Sequence, residues 1–89
     1  LLSRRQRQMC IRDSYLKCAA DLKAAPHETV VFEDALYAAK TAKAAGFSVI
    51  GVLSEAVEES DRIALQKLCD RCITDYTALL GELLPPEDR

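Results

Sequence analysis

The stretch Thr29-Val30-Val31-Phe32-Glu33-Asp34-Ala35-Leu36-Tyr37-Ala38-Ala39-Lys40-Thr41-Ala42-Lys43-Ala44-Ala45-Gly46-Phe47-Ser48-Val49-Ile50-Gly51-Val52 decides the fold. Thr29 to Phe32 is a short, nearly all-apolar run rich in β-branched side chains, the pattern of a strand buried on both faces. Ala35 to Ala45 reads as an Ala-rich helix of strong intrinsic propensity, stopped by Gly46 at the position that favours a left-handed backbone. Asp34 stands where the N-cap of that helix belongs. Phe47 to Leu53 is a second buried strand.

The same alternation extends in both directions. Upstream, Tyr15 to Ala24 places Tyr15, Leu16, Cys18, Ala19 and Leu22 at helical spacing, and Pro26 closes that helix. Downstream, Glu58 to Asp70 is a second crossover helix with Ile63, Leu65, Leu68 and Cys69 expected inward. Cys72 to Thr74 reads as a short third strand, and Tyr76 to Leu84 as a closing helix before Pro85-Pro86. Strands separated by helices imply parallel pairing through crossover connections. The fold class expected is therefore α/β, part of a doubly wound parallel sheet of about three strands.

Composition agrees with one small globular domain: 49% of the residues are apolar and 29% charged, with 3 Gly and 3 Pro, which leaves little room for disorder. Charge interrupts every apolar stretch well short of the ~20 residues that span a bilayer. Leu1-Leu2-Ser3 turns basic at once and lacks the apolar core of a secretory signal, so the expected location is cytoplasmic. The net charge of −2 is unevenly divided. Arg4, Arg5, Arg7 and Arg12 against Asp13 make the first fourteen residues basic, whereas the remaining 8 basic and 13 acidic residues make the body acidic.

Cys69 and Cys72 form a C-x-x-C, but Cys10 and Cys18 have the wrong spacing for a second zinc knuckle and His27 is the single histidine. A redox or zinc role stands against the simpler expectation that Cys18, Cys69 and Cys72 are small buried side chains in a reducing compartment. His27, just after Pro26, falls in a turn and is expected to be solvated.

Glu33-Asp34 is the leading site candidate by position. Open α/β sheets bind ligands at the carboxyl ends of their strands, and this pair falls at such an end and at the start of a helix. Adjacent carboxylates supply hard oxygen ligands of the kind Mg²⁺ takes alongside water and substrate phosphate. The competing account is that Asp34 only caps its helix, worth about 1 kcal/mol, and Glu33 is a solvated loop residue.

Thr29 to Val52 closely resembles the fourth motif of haloacid dehalogenase-like (HAD) hydrolases, in the Rossmann-like branch that includes β-phosphoglucomutase and sugar-phosphate phosphatases. The likeness extends upstream to Tyr15-Leu16-Lys17-Cys18-Ala19-Ala20, which looks like the helix after the third motif, and downstream to Leu84. It implies a Mg²⁺-dependent enzyme acting on a small phosphorylated metabolite, with Asp34 as a direct metal ligand and Glu33 supporting the ion directly or through water. It also implies an aspartate nucleophile, a second aspartate as general acid/base, a phosphate-binding Thr/Ser and a lysine. Covalent aspartyl-phosphate chemistry divides one difficult displacement into two, and the metal neutralises charge on the phosphoryl oxygens.

None of those further groups has a counterpart in this sequence. A D-x-D motif is absent, and alignment of the family's Lys-Pro-x-Pro-x-x-Tyr run on Tyr15 puts Met9 at the lysine and Cys10 and Arg12 at the prolines. The expectation is a C-terminal piece of such an enzyme, spanning residues 15–84 with a tail at 85–89, inactive by itself and with no catalytic residue to assign. Arg4 to Asp13 resembles the translation of a transposon adapter used in sequencing libraries, so residues 1–14 are read as a non-native leader. A basic arm for nucleic acid is the rival reading, but the run lacks interleaved aromatics, and no nucleic-acid or membrane partner is expected. The alternative for the whole chain is a non-catalytic protein-interaction module. Substrate, phosphatase or mutase outcome, and oligomeric state stay open.

Overall fold

A computed structural model describes residues 3–83. In chain order these residues form α1 (Arg4–Asp21), a 3-10 turn (Pro26–Glu28), β1 (Val30–Glu33), α2 (Leu36–Ala44), β2 (Ser48–Val52), α3 (Glu59–Leu68), β3 (Arg71–Ile73) and α4 (Thr77–Leu83). The strands make one parallel sheet in the order β1-β2-β3, with Val31 beside Val49 and Gly51 beside Cys72. This is the α/β alternation expected from the sequence. Pro85-Pro86 and the last residue of the expected closing helix, Leu84, lie outside the described residues.

Two helix ends show why the chain turns where it does. After α2, Gly46 takes φ 98° while its N–H reaches the Lys43 carbonyl and the Phe47 N–H reaches that of Ala42, a Schellman closure. After α1, Lys23 and Ala24 make the same pair of bonds to Ala20 and Ala19, but here a lysine occupies the left-handed position at φ 57°.

α1 begins at Arg4, so the leader is helical from Arg4 to Ser14. Ser3 and Gln6 close a reciprocal capping box, and Arg and Gln are good helix formers. From Arg5 to Ser14, Ile11 is the one described side chain that is even half-buried; the helix is anchored by its second half, where Ala19 is buried and Tyr15 and Leu16 pack on the core. Leu22 is not on that inward face. It is the C-cap, beyond the helical repeat, and is 72% exposed.

The main core lies between one face of the sheet and the first three helices: Ala19, Val31, Ala39, Ala42, Phe47, Val49, Leu53 and Leu65. Val49 and Leu65 are fully buried. Ala38, Ala39 and Ala42 on α2 are buried too, and their small side chains let that helix sit close to the sheet. The Tyr15 and Phe47 rings meet edge to face, centroids 5.9 Å apart.

Three expectations of burial need correction. β1 is buried on one face, at Val31, while Val30 and Phe32 are 49% and 39% exposed. Among the described residues β1 is a sheet edge, and the second face carries only the smaller cluster of Val52, Ile73 and Leu79 with Ile50. Ile63 is 46% exposed because it lies two residues, about 200° of helical rotation, from inward-facing Leu65; Leu68 and Cys69 return to the core side. Cys18 is exposed, next to the inward Ala19 on α1, whereas Cys69 and Cys72 do pack against the core.

Candidate functional site

β1 ends at Glu33, and the chain bends through Asp34 and Ala35 into α2. Glu33 is half-buried and its carboxylate is heavily engaged. Oε1 accepts from the backbone N–H groups of Asp34 and Ala35, both at 3.2 Å, and Oε2 accepts from the Tyr15 hydroxyl at 2.7 Å. Burial, reinforced by the hydrogen bond and charge of Glu33, pushes the Tyr15 hydroxyl well above its ordinary pKa, so it stays a donor.

Asp34 does not cap α2, contrary to expectation. The N-cap is Ala35, no side chain caps it, and the carboxylate that gathers backbone N–H groups at this turn is Glu33. Asp34 is exposed, and its carboxylate has no hydrogen-bond or ion-pair partner among the described residues. One acid of the pair therefore shapes the turn and the other is left facing outward.

Two depressions meet at Asp34. The smaller, about 180 Å³, is lined by Phe32, Glu33, Asp34, Val52 and Tyr76, which places it at the carboxyl ends of β1 and β2. The Phe32 and Tyr76 rings lie 5.7 Å apart there. The larger, about 380 Å³, is bordered by Asp34 and Ala35 on one side and by Ala56, Val57, Glu58 and Asp61 on the other. Arg62 holds that opposite loop in place by donating to the carbonyls of Ser54 at 2.6 Å and Val57 at 3.3 Å.

Tyr76, Glu58 and Asp61 also line these depressions, and nothing in the sequence pattern marks them as site residues. Acidic side chains in the first turn of a helix already complement its dipole, so Glu58 and Asp61 carried no separate signal. They do not complete a metal cage: among the described residues no three His, Cys, Asp or Glu side chains converge to hold an ion. The donor set suits a hard cation held by one carboxylate here and by oxygens from elsewhere, which is how Mg²⁺ is commonly bound. His27 is exposed, on the 3-10 turn.

A further depression of about 440 Å³ between α1 and α2, lined by Arg5, Met9, Arg12, Lys40, Thr41 and Ala44, shares no residue with the acidic site. Half of its walls come from the leader segment. Among the described residues no helix is long and apolar enough to cross a membrane.

No protein family, curated protein or solved structure matches this chain.

Proposed function

We propose that this chain is the C-terminal part of a cytoplasmic, Mg²⁺-dependent HAD-like phosphohydrolase that acts on a small phosphorylated metabolite, either as a sugar-phosphate phosphatase or as a phosphoglucomutase-like enzyme. The observation that carries this reading is the division of labour in the acidic pair: Glu33 takes over the backbone N–H groups, and the Asp34 carboxylate is left exposed, without a partner among the described residues, at the carboxyl end of a parallel strand. A residue that only capped its helix would be spent on that helix.

In this reading Asp34 presents its carboxylate to the metal, and Glu33, anchored through Tyr15, fixes the height and direction of the bend. Bound Mg²⁺ supplies charge neutralisation at the phosphoryl oxygens. The nucleophile, the general acid/base and the phosphate-binding groups belong to sequence outside these 89 residues, and the chain alone is inactive.

The decisive experiment is to sequence the source DNA upstream of the Ser14 codon by a method that uses no transposon adapter. The expected frame continues into a Lys-Pro-x-Pro segment, a Thr/Ser motif and a D-x-D strand. Genomic codons for Arg4–Asp13 would sink the reading and favour the interaction module, for which the exposed Val30 and Phe32 offer an apolar face.

A further inference from the structure

Cys69 and Cys72 are far from passive in their geometry, and nothing in the proposed phosphohydrolase role uses them. Cys69 ends α3 as its C-cap, with its N–H on the Leu65 carbonyl at 2.8 Å. Cys72 sits in β3 opposite Gly51, and its thiol points back at that same Leu65 carbonyl, 3.6 Å away. Both sulfurs converge on Gly51: a Cβ built there would lie 3.0 Å from Cys72 Sγ and 3.1 Å from Cys69 Sγ. The glycine in the middle strand is what leaves room for two thiols side by side.

Cys72 also acts on the Cys69 thiol. Burial, then the charge and hydrogen bond of Cys72, then the charge of Asp70, push the Cys69 thiol up to about 11, with Lys43 opposing. Both cysteines are free and only half-buried. Among the described residues no third His, Cys, Asp or Glu joins them in a group that could hold a metal ion.

We propose that Cys69 and Cys72 are a redox-active dithiol that closes to an intramolecular disulfide by exchange with a low-molecular-weight disulfide such as oxidised glutathione. One thiolate attacks a glutathione sulfur, forming a protein–glutathione disulfide and releasing one glutathione thiolate, which takes up the proton lost by the protein thiol. The second cysteine, deprotonated in turn, attacks the protein sulfur of that mixed disulfide; the Cys69–Cys72 bond forms and a second glutathione leaves as its thiol. The protein loses two electrons and two protons, and the glutathione disulfide gains them. The high Cys69 pKa makes exchange slow at neutral pH and faster as pH rises, because the thiolate is the nucleophile.

The test uses the full chain with Cys10→Ser and Cys18→Ser, incubated with oxidised glutathione, quenched in acid and read by intact mass and alkylation. The expected result is loss of both alkylatable thiols together with a mass decrease of two hydrogens, reversed by a reductant. Cys72→Ser added to that background stops at the mixed disulfide on Cys69. Persistence of two alkylatable thiols, or accumulation of a glutathione adduct when both cysteines are present, overturns the proposal.

Discussion

The Tyr15 hydroxyl donates a 2.7 Å hydrogen bond to Glu33 Oε2 and so ties α1 to the end of β1 across eighteen positions of sequence. Removing the hydroxyl with Tyr15→Phe leaves a half-buried carboxylate short of one donor and should cost about 1–2 kcal/mol in urea unfolding. The pH dependence is a second check. The folded pKa of Tyr15 is raised, chiefly by burial and then by Glu33, so its contribution is whole below the ordinary value of 10.0 and is lost as pH rises through the folded value. Tyr15→Phe should flatten that alkaline decline.

Asp34→Asn should leave stability within about 0.5 kcal/mol, since the carboxylate supports no contact within the described residues. Mn²⁺ added to the labelled chain should broaden the amide signals of Asp34 and Ala35, and this substitution should abolish the effect. Equal broadening in the variant would place the cation elsewhere.

Asp70 joins three elements: its Oδ2 accepts from the Val49 N–H at 2.8 Å, its own N–H donates to the Val49 carbonyl, and Lys43 on α2 reaches it at 3.0 Å. The Val49 N–H, and then Lys43, hold its pKa below the usual carboxylate value. The resulting stability is present above the unfolded pKa, near 3.8, and is lost as pH falls through the lower folded value. Asp70→Asn should reduce the acid dependence of unfolding in that window, and Lys43→Met should reduce it less.

Lys23 and Gly46 occupy equivalent closures, at φ 57° and 98°. Lys23→Gly relieves a left-handed lysine and should raise stability by about 0.5–1 kcal/mol, after the entropy that glycine adds to the unfolded chain. Gly46→Ala should destabilise by more than that amount. Thermal unfolding of the two variants checks both signs.

The sequence was most legible where periodicity and punctuation agree. From Val30 to Val52 the β-branched runs, the alanine helix and Gly46 all point one way, and the elements fall within one or two residues of the expected bounds. Features that depend on distant partners were hidden. Asp34 looked like a cap because local rules favour aspartate there; the rules could not weigh Glu33, which is buttressed by Tyr15 and takes both nearby N–H groups. Val30 and Phe32 looked buried because an apolar strand does not reveal whether anything covers its second face. Ile63 is apolar yet faces outward, because its angle from Leu65 rather than its hydropathy sets its exposure.

The alanines under α2 have a mechanical consequence. With Ala39 and Ala42 showing no exposed surface, the helix is seated on the sheet like a strut on a flat bearing, with no slack for a larger side chain. Any added methyl lifts the strut, and because the bend that carries Asp34 is its foot, the carboxylate would rise with it. Variation at these two alanines, remote in chemistry from any phosphate, would therefore retune the reach of the acidic site.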